Sequence, residues 1–268
     1  MELSQHLSLP SELEKFRQTI ELSAKTSFII MPSDQNTSLA DSKFAGLPYL
    51  PKSHRLPKDR KGQYMDLLAQ VNFSQFPSEK PFPKSGILQF FISRTQELLY
   101  EKRTEQIFQQ DFKVRYFPEV LSQDKLVTDF SIIKGDFITP FPIKNELHLS
   151  ISKMIEPVSA MDYRFNSYIN FPTSDCTITE DGRTLEEFYF EHFLGADHKL
   201  GGYPYFIYND PRSNSNFLKR FDTLLLQVVS NDSQEIMWGD SGIIKFFINK
   251  EKLLELDFSE VYFIAEQY

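Results

Sequence analysis

Apolar and polar positions alternate with the two-residue period of a β-strand across Gly86-Ile87-Leu88-Gln89-Phe90-Phe91-Ile92-Ser93. Leu88, Phe90 and Ile92 fall on one face, and Gln89 and Ser93 fall on the other with Ile87 and Phe91. The pattern returns in Gly242-Ile243-Ile244-Lys245-Phe246-Phe247-Ile248-Asn249, with Lys245 and Asn249 at the two polar positions. A second strand pattern, Leu67-Leu68-Ala69-Gln70-Val71, returns as Leu224-Leu225-Leu226-Gln227-Val228. A turn, Gly46-Leu47-Pro48-Tyr49, returns as Gly202-Tyr203-Pro204-Tyr205. The three matches lie 156, 157 and 156 residues apart, and this common register predicts an internal duplication.

Helical spacing occurs in two short stretches. Leu13, Phe16, Ile20 and Ala24 share a face over 12–25, and Leu185, Phe188, Tyr189 and Phe193 share one over 185–194. Each follows a capping-box pattern, Ser11-Glu12-Leu13-Glu14 and Thr184-Leu185-Glu186-Glu187. Further strands are expected near 27–31, 112–118, 145–155 and 260–266. Glu97 to Gln110 reads as a solvated hairpin or a frayed helix, and Phe137 to Pro142 as an extended connection, since each proline biases its predecessor away from helix. Strands outnumber helices without regular alternation, which disfavours a doubly wound parallel sheet. The expected fold is α+β: an internal duplication of two similar, mainly antiparallel halves, each with an N-terminal helix. No low-complexity linker separates them, so one compact domain over 1–268 is expected, with repeats at about 11–120 and 145–268.

Composition narrows the function classes. Phe and Tyr number 26 and 12 against one Trp, and Gly only 10, leaving large side chains to pack and few glycine loops for phosphates. The formal charge of −8 disfavours nucleic acid and anionic membrane as partners. The single Cys176 excludes an internal disulfide and any multi-cysteine metal site. No signal-peptide pattern opens the chain and no apolar run is long enough for a membrane span, so a cytoplasmic protein is expected.

Candidate chemistry is sparse. The histidines are scattered; His192 and His198, with Glu191 and Asp197, come nearest to a ligand set, but at no metal-binding spacing, and no metal or cofactor is expected. Walker, dinucleotide and nucleophile-elbow motifs do not occur. Met237-Trp238-Gly239-Asp240-Ser241-Gly242 sets the single tryptophan, a carboxylate and a hydroxyl at a strand entrance, and reads either as a tight turn over a core tryptophan or as a binding site. Gln70 and Gln227 occupy one matched position, where each amide either ties down a loop or lines a cleft. Arg212, in the turn Asp210-Pro211-Arg212, is a weaker candidate for capturing an anion.

These segments, with His198-Lys199-Leu200-Gly201-Gly202-Tyr203-Pro204, resemble the YwqG-like family, a bacterial domain of unknown function, over about 44–250. Ala45 stands where that family often has a second glycine. The resemblance implies an α+β fold and a soluble bacterial protein, and brings no reaction, cofactor or catalytic residue. Two functions stay open. One is a non-enzymatic binding or protein-interaction module presenting an acidic, aromatic-rich surface. The other is a small-molecule enzyme or ligand binder with a cleft near Trp238, Asp240 and His198, with Ser241, Gln70 and Gln227 as further ligand contacts.

Overall fold

A computed structural model describes residues 7–95, 98, 101–131, 140–171 and 182–268. Its strands are β1 (Lys25–Ser33), β2 (Lys43–Phe44), β3 (Asp66–Asn72), β4 (Ile87–Ile92), β5 (Arg103–Gln106), β6 (Phe112–Phe117), β7 (Leu147–Glu156), β8 (Lys199–Gly201), β9 (Thr223–Val229), β10 (Gly242–Ile248) and β11 (Tyr262–Gln267). All join one sheet in the order β5-β11-β10-β9-β8-β1-β7-β2-β3-β4-β6. The helices are α1 (Arg17–Leu22), α2 (Phe165–Tyr168), α3 (Leu185–His192) and α4 (Lys250–Leu254).

This corrects the expected α+β arrangement of two halves, each with an N-terminal helix. β1 pairs antiparallel with β7 from Lys25↔Glu156 to Ser33↔His148, so the two segments form the middle of a single sheet. β1 then pairs with β8, and β7 with β2. Each leading strand thus lies beside the second strand of the other half, and neither half has a complete sheet alone. The helices are not one per half either. Leu13 and Ile20 pack with Phe165, Leu185 and Tyr189 in one apolar cluster beside the sheet. The capping box forms at Thr184, whose side chain takes the Glu187 N–H while Glu187 takes that of Thr184. At the other site Pro10 precedes a 3-10 turn over Ser11–Phe16, and the Ser11 hydroxyl donates to Glu12 instead. The stretch read as hairpin or frayed helix supplies β5, paired to β11.

The sheet curls into a half-barrel. Phe90 on β4 meets Phe246 on β10 at 5.0 Å, and Phe112 on β6 stacks on Phe263 of β11 at 5.2 Å, although these strands are far apart in sheet order. Register shifts opposite Leu68 in β3 and Leu225 in β9 sharpen the bend, as bulges do. Both bulged leucines are fully buried in the main core. The outer face was expected to be mixed, yet β4 and β10 are buried on both sides. Loop residues fold back over it: Leu50 joins Phe91 and Leu67 in one apolar cluster, and Phe206 joins Phe247 and Tyr262 in another. Among the described residues no helix is long and apolar enough to cross a membrane.

Candidate functional site

The loop from β9 to β10 is built by one serine. Ser230 Oγ accepts the N–H groups of Trp238 and Gly242, each at 2.9 Å, closing the ends of the Trp238–Gly242 turn onto one point. Ile236 and Asn231 exchange backbone bonds at 2.7 and 3.0 Å, making a smaller turn before it. This folding aims Trp238 inward, where it is buried in the main core with an unpartnered indole N–H, and leaves Asp240 and Ser241 exposed.

Beside the turn runs the segment from Pro140. Met237 N–H donates to the Pro142 carbonyl at 2.8 Å, and Ile143 bridges Ile236. Between the two segments lies a cleft of about 620 Å³. Its apolar surface comes from Pro140, Phe141, Pro142 and Met237, and its rim carries Asp232, Glu235, Asp240 and Lys144. Lys144 and Asn145 bind Glu235, and the Lys144 bond holds that carboxyl below its ordinary value. Asp232 and Asp240 form no ion pair or side-chain hydrogen bond among the described residues, so two carboxylates stay open to a ligand.

The other candidates lie elsewhere. His198 is buried with its ring 5.3 Å from Phe44, and its Nδ1 accepts the Val229 N–H at 3.2 Å. Burial pushes its pKa down to about 4, with Gln234 offsetting part of the effect. His192 stacks on Phe188 at the end of α3. Among the described residues no group of three or more His, Cys, Asp or Glu could hold a metal ion, and Cys176, His6 and 137–139 lie outside those residues.

Gln70 and Gln227 are fully buried and make the same three bonds. Gln70 Oε1 accepts from Tyr49 N–H at 2.8 Å, while Nε2 donates to the carbonyls of Leu39 and Asp41 at 2.9 and 2.8 Å. Gln227 does so with Tyr205, Gly195 and Asp197, each at 2.9 Å. These amides tie down loops and reach no cleft. Arg212 is likewise buried, bound to Asp210 and Asp162.

Sequence reasoning missed a second matched device. Lys43 and Lys199 are buried and reach Glu146 and Glu156, at opposite ends of β7, at 3.4 and 2.9 Å. Each glutamate also accepts a turn N–H, from Leu47 at 3.1 Å or Tyr203 at 2.7 Å. A Cβ at Gly46 would lie 1.7 Å from Glu146 Oε2, and one at Gly202 1.9 Å from Glu156 Oε1, so both glycines make room for a carboxylate. Ala45 adopts the left-handed conformation at φ 55°, as its match Gly201 does at 71°, so the alanine does not change the turn. The lysine and glycine positions were legible as sequence matches; their partners on β7 had no repeat to reveal them.

The profile of a family described as a domain of unknown function, DUF1963, matches residues 42–266. The chain belongs to the DUF1963 family. No curated protein matches it. The DUF1963 match begins just before β2 and ends within β11, leaving out α1 and β1, although β1 forms half of the central pair.

Proposed function

We propose that this DUF1963 protein is a non-catalytic interaction module that takes a short segment carrying both basic and apolar side chains from a partner protein into the cleft beside Asp240. The observation behind the reading is the pairing of an apolar floor with two uncommitted carboxylates, Asp232 and Asp240, in a cleft of about 620 Å³. An apolar body flanked by cations fits both parts, the rings or aliphatic groups on Phe141 and Met237 and the charges at the rim. No histidine, cysteine or serine is among the residues lining the cleft. Of the trio Trp238, Asp240 and His198, only Asp240 faces it. The YwqG-like resemblance and the lone cysteine suit a bacterial cytoplasmic setting for this role.

Fluorescence anisotropy with a labelled peptide alternating Lys with Leu or Phe tests it, with the Glu-for-Lys peptide as control. Reversing both rim charges, Asp232→Lys with Asp240→Lys, is expected to weaken binding about fivefold, as exposed ion pairs contribute little each. Phe141→Ala with Met237→Ala is expected to weaken it about tenfold by removing the anchors. Equal binding of both peptides, or no loss in either variant, would discard the reading.

A further inference from the structure

A second cavity lies on the sheet away from that cleft. It measures about 260 Å³ and opens between β1, the 79–82 loop, the Gly201-Gly202 turn and the corner where β9 begins and α4 starts. Phe28, Pro81 and Phe82 give it an apolar side, with the two phenylalanine rings edge to face at 5.8 Å. Five charged residues line the rest.

Both carboxylates are engaged. Glu79 takes the Thr26 hydroxyl at 2.5 Å and Lys153 at 2.6 Å. Asp222 takes the Thr223 hydroxyl at 2.9 Å and the Lys250 backbone N–H at 3.0 Å. The three lysines, Lys25, Lys80 and Lys250, form no ion pair among the described residues. Lys25 is the innermost: it is half-buried, with its ammonium 4.5 Å over the Tyr203 ring. Burial pushes its pKa down to about 8, helped by Arg164 and Arg212 and opposed by Asp162 and Asp222.

The matching corner 156 residues earlier shows what a closed version looks like. Arg94 stands there in place of Lys250, Asp66 in place of Thr223, the residue after Asp222, and Ala45-Gly46 in place of Gly201-Gly202. Arg94 grips Asp66 with two bonds at 2.7 and 2.8 Å, so charge is balanced within the pair. At the second corner a threonine takes the place of that aspartate, the adjacent Asp222 bonds to its hydroxyl and to a backbone N–H, and the Lys250 ammonium is left over. A chain of net charge −8 therefore keeps a cavity with excess positive charge beside an aromatic wall.

We infer that this cavity binds a small organic anion, a carboxylate or phosphate carried on an apolar body of about one ring, with Lys25, Lys80 and Lys250 holding the charge and Phe28, Pro81 and Phe82 the body. The volume is at the small end for ligand pockets, which excludes nucleotides and extended peptides. The proposal is independent of the Asp240 cleft.

Isothermal titration calorimetry with phenyl phosphate, benzoate, inorganic phosphate and neutral benzamide tests it. Phenyl phosphate or benzoate is expected to bind more tightly than inorganic phosphate, which lacks the body, and benzamide not at all. Lys25→Met, which keeps packing on Tyr203, is expected to weaken binding about tenfold, the effect of losing one charge-assisted hydrogen bond. Wild-type affinity should also fall between pH 7 and 9.5 as Lys25 loses its proton, with the Lys25→Met profile flatter. Should Lys25→Met fail to fold, the surface variant Lys80→Gln with Lys250→Gln provides the same readout. Absence of anion binding, binding of benzamide as tight as benzoate, or affinity unchanged in the folded lysine variants would overturn the proposal.

Discussion

Replacing Arg212 with alanine will lower the unfolding free energy by about 3–5 kcal/mol, the range found when one partner of a buried ion pair is removed. The guanidinium is fully buried, contacts Asp210 through Nε and Nη2 at 2.8–3.2 Å, and reaches Asp162 at 3.0 Å. Its third nitrogen donates to the Phe221 carbonyl, and its plane lies 4.4 Å from the Phe247 ring centre. Without it, Asp210 keeps the N–H groups of Tyr163 and residue 212 and loses its ion-pair partner. Arg212→Lys will recover little, because an ammonium cannot span two carboxylates as the planar fork does. The effect depends on pH. Burial pushes the Asp162 carboxyl up, but the Arg164 bond and the charges of Arg212 and Arg164 outweigh it and hold the pKa below the ordinary value. A lowered carboxyl contributes stability above the unfolded pKa of about 4 and loses it as pH falls through the folded one. The gap between wild type and Arg212→Ala in urea titrations will therefore narrow from pH 7 to pH 3. A loss under about 1 kcal/mol at pH 7, the scale of a surface pair, would show the cluster to be dispensable.

The second large effect is acid destabilisation through His198. Its folded pKa of about 4 lies below the ordinary 6.5, so the unfolded chain takes up a proton first. Stability is then complete above pH 6.5 and falls as pH drops toward 4, by about 3 kcal/mol over that window. The cause is local: an imidazole against Phe44, with Nδ1 already accepting the Val229 N–H, has no carboxylate to welcome a second proton. Urea midpoints for wild type and His198→Gln at pH 7, 5.5 and 4.5 measure this, and the variant's curve is expected to be flatter by that amount. Parallel curves would show that the imidazole is protonated in the folded protein.

The matched glutamines show how far the chain could be read in advance. Gln70 and Gln227 were visible as polar residues in apolar strands, and loop tethering was one of two readings open for them. Their buried bonds to Leu39, Asp41, Gly195 and Asp197 are the tethering kind. Trp238 and Asp240 were visible as a constellation, yet Gly239 between them adopts the left-handed conformation at φ 57°, which breaks the alternation that would put both on one face, and the two part into core and surface. Asp232 was not separable from ordinary loop residues, and Met237, though quoted within the constellation, had no role of its own until Pro140 to Pro142 came beside it. The three lysines of the second cavity are 25, 80 and 250 in the chain, and no window of sequence contains them together.

Local order determined the strand segments, the short helices, the turns at Gly46 and Gly202 and the repeated register of 156 or 157 residues. These follow from side-chain period, capping and backbone freedom, which act over a few residues. Only the tertiary structure decided that β1 and β7 exchange places to make one curled sheet, that Glu146 and Glu156 meet the two matched lysines, and that both clefts exist. Strand pairing is a competition among backbone edges for hydrogen bonds and among faces for burial. Either leading strand could satisfy its own alternation beside several partners, and the pairing found is the one in which Phe90, Phe246, Phe112 and Phe263 pack together across the half-barrel.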